Sequence, residues 1–342
     1  MKNLTDKLKK EGILSDDEFI YLLQREGNEA EVLRESARQT ALGSFGNGIY
    51  IRGLIEFTNY CKNDCYYCGI RRSNKCAERY RMTGEDIMLC CKKGYDMGFR
   101  TFVLQGGEDG FFTDDVLCTI VSDIKKLYPD CAVTLSAGER SRQSYQRLFN
   151  AGADRYLLRH ETANHEHYAK LHPKELSLSV RKECLYNLKD IGYQVGCGFM
   201  VGSPFQTLSN IAEDLRFIAE FKPHMVGVGP FIPHNDTPFK DCEAGSVELT
   251  LNILAIIRLM LPKALIPSTT ALGTACGDGR ERGILSGANV IMPNLSLKDA
   301  REKYTLYNNK ATAEPADSLA DIQNRLAKIG YRTLVARGDY DF

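Results

Sequence analysis

Residues 51–70 read IRGLIEFTNYCKNDCYYCGI. The first seven residues, 51–57, carry the apolar and β-branched character of a buried strand, and the polar run Thr58-Asn59-Tyr60 ends it. Cys61, Cys65 and Cys68 follow, with three and then two residues between them. Three thiolates are thereby offered on one short loop at the C-terminal end of a strand. Thiolate suits iron–sulfur chemistry, and an ordinary cubane takes four protein ligands, so this loop leaves one iron open to a ligand that is not protein. Buried structural cysteines, or a zinc site completed by a distant fourth ligand, are the plainer alternatives. The tight spacing, with the aromatic Tyr67 before the last cysteine, speaks against the first of them.

Outward from this stretch the same unit recurs. Short apolar runs closed by Gly, Ser, Thr, Asn or Pro alternate with amphipathic segments at a period of roughly 30–40 residues. Strands are expected at 51–57, 101–105, 132–136, 155–160, 194–201, 225–231, 265–270 and 288–292, and helices at 83–98, 114–128, 141–151, 177–191, 207–221 and 246–261. Eight strand–helix units fit a complete (β/α)8 barrel of the TIM type, residues 49–310. An N-terminal helical extension (1–48) precedes it, and a C-terminal extension (311–342), with an amphipathic helix at 315–330, packs on it. A doubly wound open sheet is the alternative that periodicity alone does not separate. In either fold, polar residues at the C-terminal ends of strands face the active site. Here those are Gln105, Gly106, Gly107, Glu108, Ser136, Glu161, Thr269 and Thr270.

Composition narrows the classes. The 342 residues are 43% hydrophobic and 26% charged, and 44 basic residues balance 44 acidic ones. Net charge thus gives no sign of a nucleic-acid partner. The charged N-terminus MKNLTDKLKKEG lacks the apolar segment of an export signal. The most apolar stretch, 253–261, is too short to span a membrane and is interrupted by Arg258. Twelve cysteines without an export signal point to a reducing cytoplasm, not a disulfide scaffold. Arg337-Gly338-Asp339 needs no adhesion role in such a chain.

Several strand ends carry chemistry. Gly106-Gly107-Glu108 lets backbone approach a ligand closely and sets a carboxylate beside an ammonium, although Gly-Gly-Glu is also an ordinary turn. Alternation sends Arg155 and Arg159 to one face of strand four and His160 to the other; arginines turned into a barrel need anions. Glu161 suits ribose hydroxyls, Arg181 a carboxylate, and Thr269 and Thr270 offer hydroxyls. Tyr304 and Tyr307, three apart on an expected helix, share a face that covers the cavity or simply packs. His234 reads as a turn histidine, and Cys131 and Cys197 as core residues near strands three and five, with an auxiliary cluster between them the alternative.

The cysteine spacing resembles the signature of the radical S-adenosylmethionine (SAM) superfamily. YCKNDCYYCGIRR, VLQGGED, ADRYLLRHETAN, GPFIPHNDTP, IPSTTALGT and GANVIMPN together resemble the FeFe-hydrogenase maturase HydE family, from about residue 50 to 310. The resemblance implies a 4Fe–4S cluster on Cys61, Cys65 and Cys68 that reductively cleaves SAM to a 5′-deoxyadenosyl radical. It implies SAM contacts from Tyr67, Gln105, Gly106, Gly107, Glu108, Ser136, Glu161, Arg181 and Met200, the last in a segment, Gly198–Gly202, similar to the superfamily's adenine-contacting stretch. It implies a substrate cavity lined by Arg52, Arg155, Arg159, Thr269, Thr270, Tyr304 and Tyr307. The substrate would be a small organometallic, an iron–cysteine complex carrying carbon monoxide and cyanide, on the way to the hydrogenase H-cluster. Ferredoxin or flavodoxin would be the reductant and other maturases the partners, in an anaerobic setting. No cysteine follows Cys276, so the second cluster of some relatives is not expected. Methylornithine synthase, biotin synthase and, in another class, a non-catalytic iron–sulfur carrier are the competing readings.

Overall fold

The computed structural model describes residues 2–310 and 318–341. Its strands are β1 (Gly48–Ile51), β2 (Gly53–Thr58), β3 (Thr101–Gly106), β4 (Ala132–Ser136), β5 (Arg155–Leu157), β6 (Gln194–Cys197), β7 (Met200–Val201), β8 (Met225–Val226), β9 (Gly229–Pro230), β10 (Val290–Ile291) and β11 (Arg332–Leu334). Strands β2-β3-β4-β5-β6-β8 form one parallel sheet in that order. Parallel bridges Met225↔Leu265, Pro267↔Val290 and Leu54↔Asn294 carry the sheet through the seventh and eighth positions and back to β2. The sheet is therefore closed, and the fold is a complete (β/α)8 barrel.

Closure explains the burial pattern. Ile55, Leu104, Leu135 and Tyr156 point outward under the helices and are fully buried. The covering helices show the matching stripe. Helix Asp114–Leu127 buries Leu117, Ile120, Val121 and Ile124, a spacing of three, one and three. Thr113 caps it by accepting from the Val116 amide, and acidic residues begin it and lysines end it, as the helix dipole favours. Helix Val247–Met260 is buried all round from Thr250 onward because the N-terminal helix Gly27–Phe45 packs over it. Within it Arg258 is fully buried and satisfied by the Gly287 and Pro262 carbonyls and by Asn289 Oδ1, at 2.7–2.9 Å; burial pulls its pKa down to about 9.

The barrel departs from the expected spans at several places. The first strand starts three residues early and breaks at Arg52 into β1 and β2. The fifth splits at Gly198 (φ +154°), where a Cβ would stand 1.9 Å from the Gly227 carbonyl oxygen. The seventh survives only as bridges, and Thr270 begins the short helix Thr270–Ala275. The expected helix at 315–330 is seen as Leu319–Lys328, its first residues lying outside the described ones. Beyond it the chain does more than pack as a helix. Strand β11 pairs in parallel with β1, and Arg337–Asp339 lies against the N-terminal ends of the barrel strands.

Candidate active site

At the C-terminal ends of the strands lies a cavity of about 280 Å³. Cys61, Cys65 and Cys68 open onto it from the loop after β2, and Gln105, Gly106, Gly107 and Glu108 from the end of β3. Tyr67, Ser136, Arg159, Glu161, Arg181, Met200, Thr269, Tyr304 and Tyr307, also expected from the sequence, line it as well. The carbonyl-rich segment Gly229–Ile232, the small Gly138, and Asn63, Leu157 and Leu306 also line it. Gly229–Ile232, Asn63 and Leu157 fall within the GPFIPHNDTP, YCKNDCYYCGIRR and ADRYLLRHETAN segments, but nothing in the sequence singles them out as lining residues.

The cysteine loop is held by its own polar residues. Asp64 accepts both Arg71 Nε (2.8 Å) and Nη2 (2.6 Å), and also the Ser73 amide and hydroxyl; this bidentate pairing holds its carboxyl well below the usual range. The Arg79 guanidinium donates to the Asn59, Ile70, Arg71 and Asn74 carbonyls and so ties the two ends of the loop together. Gly107 lies so close that a Cβ there would meet the Tyr60 carbonyl oxygen at 2.2 Å and Cys61 Cβ at 2.7 Å. The next amide, of Glu108, donates to Cys61 Sγ at 3.4 Å.

Burial raises all three thiol pKa values, and the neighbouring sulfurs add to it at Cys65 and Cys68; Cys68 is pushed up to about 12. Three thiolates gathered here call for cationic compensation, which iron supplies. Among the described residues no three His, Cys, Asp or Glu side chains converge as a single metal ion would require. The three thiols share the lining of one cavity with polar side chains from the other strand ends.

Polar groups across the cavity are poised for a charged ligand. Glu108 accepts from the Glu139 amide (2.9 Å) and pairs with Lys62 (3.1 Å). Arg181, on the first turn of helix Leu178–Ile191, stands 2.8 Å from Glu139. Burial alone would lower its pKa, but the carboxylates of Glu139 and Glu108 raise it overall. Glu161 sits at φ +65°, a left-handed backbone that a glutamate adopts at a cost, and its carboxylate faces Arg159 at 3.2 Å. Arg159 Nε is buried and has no hydrogen-bond partner among the described residues. Tyr67 donates to or accepts from His172 Nε2 at 3.2 Å, and burial raises its pKa far above the usual value.

Other expected residues fall elsewhere. Arg52 and Arg155 do not line this cavity. Arg155 is fully buried at the first residue of β5, where it donates to Gln194 Oε1, Thr101 Oγ1, the Arg337 carbonyl and Asp339 Oδ1 at 2.5–3.1 Å. Arg52 reaches the Gly338 carbonyl (3.3 Å) and Met225 Sδ (3.0 Å). Both meet the chain's own tail at the barrel base, and Arg337-Gly338-Asp339 is the plug. Thr270 starts its helix and does not line the cavity; Thr269 caps that helix and does line it. Tyr304 and Tyr307 are not on a helix, since Lys298–Lys303 ends before them, yet both reach the cavity. His234 Nδ1 accepts the Asp236 amide (3.0 Å), a turn role. Cys131 and Cys197 are fully buried in the core and line no cavity with the triad.

Three thiols at the open end of a parallel barrel, facing orphaned polar groups that suit a sulfonium amino acid, define the class: a radical SAM enzyme, with a 4Fe–4S cluster and SAM as cofactors. The Radical SAM superfamily model matches residues 55–218. The FeFe-hydrogenase maturase subunit HydE of Thermotoga maritima is 48% identical over 265 residues, covering 78% of this chain and 75% of that protein. The 3-methylornithine synthase of Methanosarcina acetivorans is 30% identical over 320 residues, 93% of this chain and 89% of its own. The crystal structure of methylornithine synthase (PylB) superposes with a TM-score of 0.85 at 27% identity, covering 97% of each chain. The chain belongs to the radical SAM superfamily and, within it, to the HydE family of FeFe-hydrogenase maturases.

Proposed function

We propose that this enzyme acts in FeFe-hydrogenase H-cluster assembly, on an anionic iron–cysteine complex that carries carbon monoxide and cyanide. The single observation that carries the substrate class is Arg159: a guanidinium at the cavity wall whose buried Nε finds no hydrogen-bond partner among the described residues, beside the hydroxyls of Thr269, Tyr304 and Tyr307. Cationic and hydroxyl donors in a sheltered cavity suit cyanide nitrogens and carboxylate oxygens. Similarity to the Thermotoga maritima maturase supports the same reading.

Cys61, Cys65 and Cys68 would hold the cluster, and Glu108, Ser136, Glu161, Arg181 and Met200 would hold SAM. Bound together and reduced, the two cofactors supply a 5′-deoxyadenosyl radical. The chain's own residues orient and shelter it. Glu108 offers an acceptor to an ammonium, and Arg181 a donor to a carboxylate. Glu161 offers acceptors to hydroxyls, its left-handed backbone turning the carboxylate toward Arg159. Tyr304 and Tyr307 close the cavity against water. Ferredoxin or flavodoxin would deliver the electron, and other maturases would pass the substrate, in the cytoplasm. Among the described residues no helix is long and apolar enough to cross a membrane.

Complementation of a HydE-deficient strain carrying an intact hydrogenase tests this. Restored hydrogen evolution is expected, and loss of it with Cys65→Ala. Failure to complement by protein that still cleaves SAM would move the substrate to an amino acid, the reading favoured by superposition with methylornithine synthase over the whole chain.

A further inference from the structure

One wall of the cavity comes from beyond the last barrel strand. Tyr304, Leu306 and Tyr307 come from the segment that follows helix Lys298–Lys303. The outer side of this segment is stitched by backbone: the Gly69 amide donates to the Leu306 carbonyl (2.9 Å) and the Asn308 amide to the Pro233 carbonyl (3.0 Å). Its inner end is held differently. Lys310 turns back into the barrel, almost fully buried, and its Nζ donates to Glu56 Oε1 on β2.

Glu56 is fully buried, and its register partner Gln105, followed by Ser136, lines the cavity, so Glu56 points to the same interior. Its second oxygen accepts Asn294 Nδ2 at 2.8 Å. A lone carboxylate inside a barrel is costly, and the strand carries one here where the ammonium reaches it. That ammonium also stands 4.8 Å from the centre of the Tyr304 ring, whose hydroxyl lies 3.5 Å from Gln105 Nε2. Tyr304 is thus fixed between a cation on its face and an amide at its tip.

We infer that Lys310 is a positioning residue: its ion pair with Glu56 latches the segment 304–310 into the barrel and so sets Tyr304 and Tyr307 as the wall that shelters the radical. The inference rests on the cavity being the site of SAM cleavage. Lys310 does not itself line the cavity and acts through Tyr304 and Tyr307, which do.

The test compares full-length, cluster-reconstituted wild type with Lys310→Met, Lys310→Arg and the double variant Glu56→Gln/Lys310→Met. Lys310→Met strands the Glu56 carboxylate and melts earlier; the double variant removes that charge and recovers its melting temperature, so a defect that persists in it is not one of folding. Hydrogen exchange of peptides spanning 303–310 is expected to quicken by roughly tenfold in Lys310→Met and in the double variant, with Lys310→Arg near wild type. Turnover with dithionite, SAM and 2-propanol-d8 gives the second readout. The secondary C–D bond of the alcohol breaks, deuterium joins the 5′ carbon, and the unpaired electron passes to the alcohol carbon. An opened wall admits this donor, so deuterium in 5′-deoxyadenosine is expected to rise by roughly threefold in the double variant. Wild-type exchange and wild-type deuterium content in the double variant would overturn the latch. If the wild-type protein formed no 5′-deoxyadenosine, the functional reading would fail, and the exchange rates would still decide the latch.

Discussion

Asp339→Ala removes the carboxylate that, among the described residues, pairs with Arg155 at the barrel base, a contact of 2.5 Å to a guanidinium with no solvent exposure. Breaking a fully buried ion pair costs about 3–5 kcal/mol because it leaves a charge without compensation. Two features reduce that figure. The Asp339 side chain is 36% exposed, and Arg155 keeps Gln194, Thr101 and the Arg337 carbonyl as acceptors. About 2 kcal/mol is the resulting expectation. At about 2.1 cal/mol/K per residue, a chain of 342 residues unfolds with an entropy of roughly 0.7 kcal/mol/K, so the midpoint should fall by about 3 °C. The assay is thermal unfolding of oxygen-free, cluster-loaded protein, with Asp341→Ala as control, since Asp341 is 91% exposed and its pair with Lys263 spans 3.7 Å. Iron content and SAM cleavage should be unchanged, because the tail lies at the end of the barrel away from the thiols. An unshifted midpoint together with lost turnover would refute the reasoning. It would return Arg155 to the substrate site that the family resemblance implies for it.

Four further outcomes follow from the site geometry. Gly107→Ala should give folded protein that retains little iron after reconstitution, because its Cβ would stand 2.2 Å from the Tyr60 carbonyl oxygen; normal iron content would contradict this. In cluster-free protein at pH 8, Cys68 should be alkylated slower than the exposed Cys76 by on the order of a hundredfold, as its pKa is pushed up to about 12; mass-spectrometric alkylation rates check it. The same raised pKa means that stability is fully present below pH 9.0, the ordinary thiol value, and is lost as pH rises toward about 12, because the unfolded chain ionises first. Unfolding midpoints at pH 7, 9 and 10.5 should therefore decline in that order. Glu161→Gly should be more stable than Glu161→Ala by about 1 kcal/mol, since glycine accepts the left-handed backbone, while both bind SAM more weakly.

Much of the site was legible because its chemistry is local. The cysteine loop, Gly106-Gly107-Glu108 and Glu161 each follow a strand within a few residues, and strand–helix alternation alone turns such positions toward one end of a barrel. What stayed hidden is non-local. A strand is expected over 155–160 but ends at Leu157, so Arg155 opens it at the barrel base while Arg159 lies beyond its end at the cavity; four extended residues span about 13 Å, which separates the two. The partner that claims Arg155 lies 184 positions away in a three-residue tripeptide without secondary structure. Lys310 and Glu56 are 254 positions apart, and neither belongs to a motif. The seventh strand, reduced to single bridges at Leu265 and Pro267, carries too few ladder bonds to set a clear end, so the sequence does not show that Thr270 opens a helix.

Electron paramagnetic resonance of the reduced, reconstituted protein before and after SAM addition bears most directly on the iron that the thiols leave open. A 4Fe–4S signal whose g values shift on binding SAM, followed by equal release of methionine and 5′-deoxyadenosine, is the expected result, with both lost in Cys65→Ala. A signal indifferent to SAM, or zinc in place of iron at Cys61, Cys65 and Cys68, would contradict it.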